Sequence, residues 1–243
     1  MEQPWTALLV NKLLAPLVTP LLVRLKIPPQ NPAYPIPNYV ACEILIALLL
    51  IVGALFLRSR LSVENPGKLQ YIMEVVVQFT QNMTDELIGH DGRQYVAMLA
   101  TLGLFVLICN LWGLVPSLET PTAHIQVTLG CAVAAFLYYN YHGVRQHGVL
   151  GYLKHLSGPM AALAIIMLPI EIISNFGRLL SLSVRLYANM LVGDLLEQVF
   201  GALVPILVPC LFAALHIFVS LLQAYIFMLL PAIYISMAVS EEH

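Results

Sequence analysis

Charged side chains occur inside one of the most apolar parts of the chain, the segment 176–200, FGRLLSLSVRLYANMLVGDLLEQVF. The segment carries Arg178, Arg185, Asp194 and Glu197. Removing a charged group from water is costly unless the group is paired or lines a wet path. These residues are therefore the first candidates for a functional role.

Helical spacing separates the polar residues of this region into two faces. At about 100° per residue, one narrow stripe contains Glu171, Ser174, Asn175, Arg178, Ser181, Arg185 and Asn189. Asp194 lies roughly opposite Arg185 and about 13 Å further along the helix axis. The next apolar stretch has a second stripe with i, i+4, i+7 spacing: His216, Ser220, Gln223, Phe227 and Tyr234. Two such stripes on neighbouring helices are suited to line water-accessible paths.

Arg185 limits the chemistry that these paths can perform. Arginine stays protonated where lysine would become neutral, so Arg185 cannot relay protons. A cation within about 4–6 Å lowers the pKa of a carboxyl group by about 1–3 units, enough to release its proton. The alternative is a structural role, in which Arg178 and Arg185 pair internally with Glu171 and Asp194.

Composition places the chain in a lipid bilayer. Of the 243 residues, 60% are hydrophobic and 10% are charged, which leaves more apolar surface than a soluble domain of this size can hide. The net charge of −2 and the lack of a basic run argue against nucleic acid as a partner. Four isolated cysteines and scattered histidines predict neither a metal site nor a redox motif.

The pattern of apolar blocks predicts an all-α polytopic membrane protein with five membrane-embedded helical segments and one interfacial amphipathic helix. Residues 1–38 are predicted to be an outside or interfacial segment, followed by one membrane domain, 39–243. The predicted elements of this domain are the spans 39–57, 95–115 and 123–142, the amphipathic helix 66–88, and the long helices 159–198 and 202–239.

Basic residues in the connections set the predicted orientation. They lie on one side of the membrane if the amphipathic helix does not cross: Arg58, Arg60, Lys68, Arg145 and Lys154. The N-terminus is then outside, the C-terminus is cytoplasmic, and 141–158 is a polar loop. Because the last two segments exceed the roughly 20 residues of a perpendicular crossing, they are expected to form a strongly tilted hairpin.

A combination of motifs is more specific than any single residue. The motifs are SLSVRLYANMLVGD (181–194), LHIFVSLLQAYIFMLLPAIYISMA (215–238), PGKLQ before the amphipathic helix, and NLWGLVP (110–116). In these motifs the chain resembles subunit a of the bacterial F-type ATP synthases, from about residue 39 onward. The resemblance implies a non-catalytic, proton-translocating subunit with two aqueous half-channels that lead to the carboxylates of a rotating c-ring.

The resemblance also implies roles for individual residues. Arg185 matches the essential arginine that faces the ring carboxylates, and Asn189 matches the polar residue one turn further on. Asp194 and His216 match positions that line the half-channel open to the outside. Gln223 matches the glutamine close to the arginine on the last helix, with Ser220 in the same stripe.

Other polar residues match the family less closely. Glu171 and Arg178 match positions towards the inner half-channel. Glu43 is either an inlet carboxylate or structural, and Glu197 either joins the inlet or extends to the interface. Where the family often carries Glu, Asp194 is one methylene shorter and is expected to need a bridging water.

The resemblance further implies partners and a location. The partners are the c-ring, subunit b of the peripheral stalk, the remaining ATP synthase subunits and membrane lipid, with protons as the transported ion and no cofactor. The location is the inner (plasma) membrane of a bacterium. A rival reading is a stand-alone secondary transporter, which would show internal repeats and interrupted helices in matching halves. A structural membrane anchor would leave Arg185 and His216 without a purpose.

Overall fold

The computed structural model describes residues 5–24, 35–62, 65–115, 118–157, 164–203 and 207–239. Helices dominate these ranges, which contain no strand. The α-helices are α1 (Trp5–Arg24), α2 (Asn38–Ser59), α3 (Lys68–Leu87), α4 (Val96–Trp112), α5 (Ile125–Ser157), α6 (Ala164–Leu203) and α7 (Leu207–Val239). Short 3₁₀ helices form at His90–Tyr95 and Pro121–Ala123. The predicted all-α membrane fold is confirmed.

Within the described ranges, four helical segments are long and apolar enough to cross a membrane. They are Asn38–Ser59, Gly92–Trp112, Ile166–Gly201 and Pro209–Val239, and a shorter apolar segment is Thr6–Pro16. The predicted span 123–142 overlaps α5, which is not among the four. Its apolar stretch ends in YYNYH (138–142), and these polar side chains lower its hydropathy. The predicted count of five membrane-embedded segments is therefore not confirmed.

The amphipathic helix α3 lies against the bundle through its smaller and more polar side. Thr80, Met83 and Thr84 are buried, whereas Leu69 and Ile72 are more than half exposed. The hydroxyl of Ser236 on α7 donates a 2.6 Å hydrogen bond to the carbonyl of Leu87 at the end of α3. An outward apolar face on a helix anchored in this way suits a position at the membrane interface.

The segment predicted as a polar loop, 141–158, is helical as far as it is described. Helix α5 continues to Ser157 with one break at Gly148, whose φ of 71° is accessible to glycine without steric cost. Beyond the break, the hydroxyl of Tyr152 donates a 2.9 Å hydrogen bond to Oδ1 of Asn140. This return contact packs the polar segment against the bundle, which the residue composition alone did not indicate.

Helices α6 and α7 form the longest pair, with 40 and 33 residues. At about 1.5 Å per residue they measure about 60 and about 50 Å, well over the roughly 30 Å hydrocarbon core. Both helices must therefore tilt, bend or extend beyond the core. Pro231 lies inside α7, which continues to Val239. Their packed sides enclose a core shared with α4 and α5: Leu182, Leu186, Met190, Phe227, Val106, Ala132 and Ala135.

Close approach between α4 and α7 depends on Gly103. A Cβ atom at position 103 would overlap Sδ and Cγ of Met228. We expect Gly103→Ala to destabilise the purified protein by about 1–3 kcal/mol, as overpacked cores do. Thermal unfolding in detergent measures this. The matched control is Gly130→Ala on α5, where a Cβ would meet no atom within 4 Å; equal melting temperatures for the two variants would contradict the packing argument.

Candidate functional site

Asp194 on α6 and His216 on α7 face each other in the first part of the site. Nε2 of His216 lies 2.9 Å from the backbone carbonyl of Asn110. Because a carbonyl only accepts hydrogen bonds, Nε2 carries a proton, and Nδ1 is the ring nitrogen that faces Asp194. The Nδ1 to Oδ1 distance is 3.8 Å, too long for a direct hydrogen bond but suited to relaying a proton through one water.

Asn110 orients this pair and is a residue that the sequence reasoning missed. It is fully buried, and its Oδ1 accepts a 2.7 Å hydrogen bond from the hydroxyl of Thr122. Its Nδ2 lies 3.5 Å from the carbonyl of Ser220. Asn110 thus links α4, the 3₁₀ helix 121–123 and α7. An asparagine inside the apolar segment 95–115 was the signal that could have identified it.

An open cavity of about 430 Å³ lies beside Asp194. At about 30 Å³ per molecule, it has room for on the order of a dozen waters. Its lining residues are Asn38, Gly113, Val115, Leu118, Glu119, Thr120, Asp194, Glu197 and Gln198. Glu197 therefore shares the cavity with Asp194, and Glu119 is a further carboxylate there that the sequence reasoning did not select.

The polar stripe of α7 points into the bundle. His216, Ser220 and Gln223 are all buried, and Phe227 is buried in the same stripe. Ser220 Oγ makes no hydrogen bond to any described residue. A buried hydroxyl without a protein partner is a site where ordered water is expected.

A second polar cluster lies about 24 Å along α6 from Asp194, at about 1.5 Å per residue. In it, Nη2 of Arg178 is 3.3 Å from Oε1 of Glu171, and the guanidinium carbon lies 5.4 Å from the ring centre of Tyr234. The hydroxyl of Tyr139 donates a 2.9 Å hydrogen bond to Oδ1 of Asn175. Arg178 therefore has the internal partner that the structural alternative assigned to it.

Arg185 has no such partner. Among the described residues it makes no ion pair and no side-chain hydrogen bond, because Asp194 faces His216 instead. Arg185 and Asn189 are exposed on α6. Around them the exposed surface of α6 and α7 is apolar: Leu180, Val184, Val192, Leu215, Phe218 and Leu222. The internal-pairing alternative thus holds for Arg178 and fails for Arg185.

Glu43 lies in a different groove, of about 580 Å³, between α2, α4 and α5. That groove is lined mainly by apolar side chains, including Leu50, Met98 and Phe105. The structure does not bring Glu43 together with Asp194 and His216. No group of three or more His, Cys, Asp or Glu side chains in the described part of the chain could hold a metal ion.

Comparison with known proteins gives a consistent result. The sequence model of the family described as "ATP synthase A chain" matches residues 40–236, a range that includes every candidate site residue. The protein "ATP synthase subunit a" of Koribacter versatilis is 44% identical over 242 residues, which cover 100% of this chain and 99% of that protein. Its namesake in Solibacter usitatus is 46% identical over 211 residues, or 87% and 91% of the two chains. A third, from Geobacter sulfurreducens, is 42% identical over 200 residues, or 82% and 86%.

The resemblance predicted from the motifs is therefore confirmed over almost the whole chain, and the chain belongs to the ATP synthase A chain family.

Proposed function

We propose that this chain is the proton-conducting stator subunit of a bacterial ATP synthase, a multi-pass protein of the inner membrane. It assembles with the remaining synthase subunits, faces a c-ring of membrane carboxylates and contacts subunit b of the peripheral stalk. Its N-terminus is outside and its C-terminus cytoplasmic. The chain conducts protons and leaves the chemistry of ATP synthesis to other subunits.

The observation that carries this proposal is the unpaired Arg185 on an exposed apolar surface between two polar clusters. Along α6, Arg185 is about 10 Å from Arg178 and about 13 Å from Asp194. An unpaired guanidinium in lipid would be very costly, so this surface calls for a partner with a carboxylate at that depth. A ring whose carboxylates pass this surface in turn meets that requirement.

Protons enter from outside through the cavity beside Asp194. Asp194 releases each proton through water to Nδ1 of His216, and the same nitrogen returns it to water that leads to the ring, because Nε2 is bonded to a carbonyl that cannot take up a proton. The proton then neutralises a ring carboxylate. A neutral carboxyl group can rotate into lipid, since the cost of desolvating its charge has been removed.

Protons leave through the second cluster after the ring has turned. A protonated carboxyl group that comes within about 4–6 Å of Arg185 is favoured to ionise, because the guanidinium stabilises its anion. The released proton passes to the water around Glu171 and Arg178. The fixed positive charge of Arg185 repels protons in the direct route, so rotation is the only complete path.

Continuous long helices favour this function over a secondary transporter. A transporter of the inverted-repeat type would have interrupted helices in matching halves. Within their described ranges, α6 and α7 each continue without a break in backbone conformation.

The membrane potential supplies the energy for the proposed stator function. It contributes about 2.3 kcal/mol per proton for each 100 mV, and several protons per turn of the ring drive ATP synthesis.

Replacing Arg185 tests the proposal most directly. We expect Arg185→Ala to abolish ATP-driven acidification of inverted vesicles that carry the assembled complex, because the ring carboxylate loses the cation that releases its proton. Incorporation of the variant is checked by immunoblot. Arg145→Ala, which removes an exposed arginine on α5, is the matched control and is expected to acidify normally. Normal acidification of vesicles that carry the Arg185→Ala variant would contradict the proposed stator function.

The outer pair gives a second test. Asp194→Asn is expected to lower ATP synthesis driven by an imposed proton gradient by about 10²-fold, the usual scale for loss of a proton-transfer group. Asp194→Glu is expected to stay active, because the added methylene shortens the 3.8 Å gap to His216. A Glu variant as inactive as the Asn variant would contradict the relay geometry, because Glu keeps the proton-transfer group and extends its reach.

A further inference from the structure

We propose that Glu119 and His124 form an outer proton-collecting station, which takes protons from the external water and feeds them to Asp194 through the shared cavity. This inference rests on the proposed function. It assigns a role to two titratable residues in the connection between α4 and α5, neither of which belongs to the arginine helix or to the last helix.

The two residues form a close pair. Nε2 of His124 lies 2.7 Å from Oε1 of Glu119. Their side chains are 31% and 39% exposed, compared with 21% for Asp194 and 3% for His216. The described residues thus include two histidine–carboxylate pairs, of which Glu119–His124 is the more exposed and Asp194–His216 the more enclosed.

One cavity joins the two pairs. Glu119 and Asp194 both line the space of about 430 Å³, together with Glu197. Water in this space can connect the carboxylates by hydrogen bonds, as it does where polar groups lie too far apart for direct contact. The geometry therefore provides a route from the exposed pair to the enclosed pair without another protein group.

The station is held in place by buried neighbours. Thr120 and Thr122, which follow Glu119, are almost completely buried, and Thr122 is bonded to Asn110. A Cβ on Gly113 would overlap Oγ1 of Thr120, so this glycine lets the connection approach α4. The ring of His124 stacks on Tyr39, with ring centres 4.1 Å apart. A rigid support of this kind keeps the pair at the cavity.

The groups around Glu119 come from several helices. From α2 they are Asn38 and Cys42, from α6 Asp194 and Glu197, and from the residue directly before α5 His124. The hydrogen bond from His124 lowers the pKa of Glu119, against the opposing effect of burial. Glu119 therefore stays ionised at neutral pH and presents a negative charge that raises the local proton concentration.

The histidine supplies the transfer step. Its ring takes up a proton at Nδ1 from the external water and releases the one on Nε2 to the carboxylate or to cavity water. Exchange of the remaining proton from Nδ1 to Nε2 through water then restores the starting tautomer, so the pair returns to its initial charge. Imidazole is suited to this exchange because its ordinary pKa is close to neutral.

The test is ATP synthesis by the complete enzyme in liposomes, driven by an imposed potential while the pH on the inlet side is varied. Glu119→Gln is expected to reduce the rate about tenfold at alkaline inlet pH, where protons are scarce, and to change it little at acidic inlet pH. His124→Ala is expected to show the same loss of rate at alkaline inlet pH as Glu119→Gln. Its rate is expected to recover when imidazole is added on the inlet side. Varying the outlet pH is expected to affect variant and wild type equally.

Two further variants make the result decisive. Glu86→Gln, which removes an exposed carboxylate on α3, is the matched control and is expected to follow the wild-type pH profile. Asp194→Asn reports on the proposed function itself. If Glu119→Gln follows the wild-type profile, or is slowed equally at every inlet pH, while Asp194→Asn is inactive, the collecting station is refuted and the stator function stands. If Asp194→Asn is also fully active, the proposed function fails.

Discussion

The cost of holding a guanidinium away from water governs the arrangement of this chain. Arg185 has no ionic partner among the described residues, and it projects from a largely apolar surface. By contrast, Arg178 pairs with Glu171, His216 faces Asp194, and Asp194 and Glu197 line a cavity. The fold therefore presents one permanent cation to whatever passes along α6 and α7, and keeps its titratable groups behind that surface.

The titratable groups of the site are held in position by amide and hydroxyl groups. Asn110 holds the ring of His216 through its backbone carbonyl and joins three elements through its side chain. On the other side, the hydroxyl of Tyr139 fixes Asn175 next to Arg178. Amides and hydroxyls are suited to holding the site in place, because their hydrogen bonds can persist while protons move between neighbouring groups. Proton transfer can then proceed without rearranging the helices.

The sequence predicted the helices and the main site residues because the signals were local. Apolar runs, helical stripes and the motif around Arg185 each lie within one segment. What it missed depends on contacts distant in sequence. Asn110 meets His216 across 106 positions, and Glu119 lines the same cavity as Asp194 although the two are far apart in the sequence. Glu43 was predicted to be either an inlet carboxylate or a structural residue, and the groove that it lines is separate from the cavity beside Asp194.

The axial offset between the two clusters has an electrical consequence. If water enters the cavity beside Asp194 and the region around Glu171, these regions share the potential of the solutions that they join. Most of the transmembrane voltage then falls over the dry segment that contains Arg185. A drop confined to the roughly 24 Å of α6 between the two clusters, instead of the full core of about 30 Å, gives a local field about a quarter above the average. Under the proposed function, the driving force would then be strongest at the depth where a ring carboxylate changes its charge.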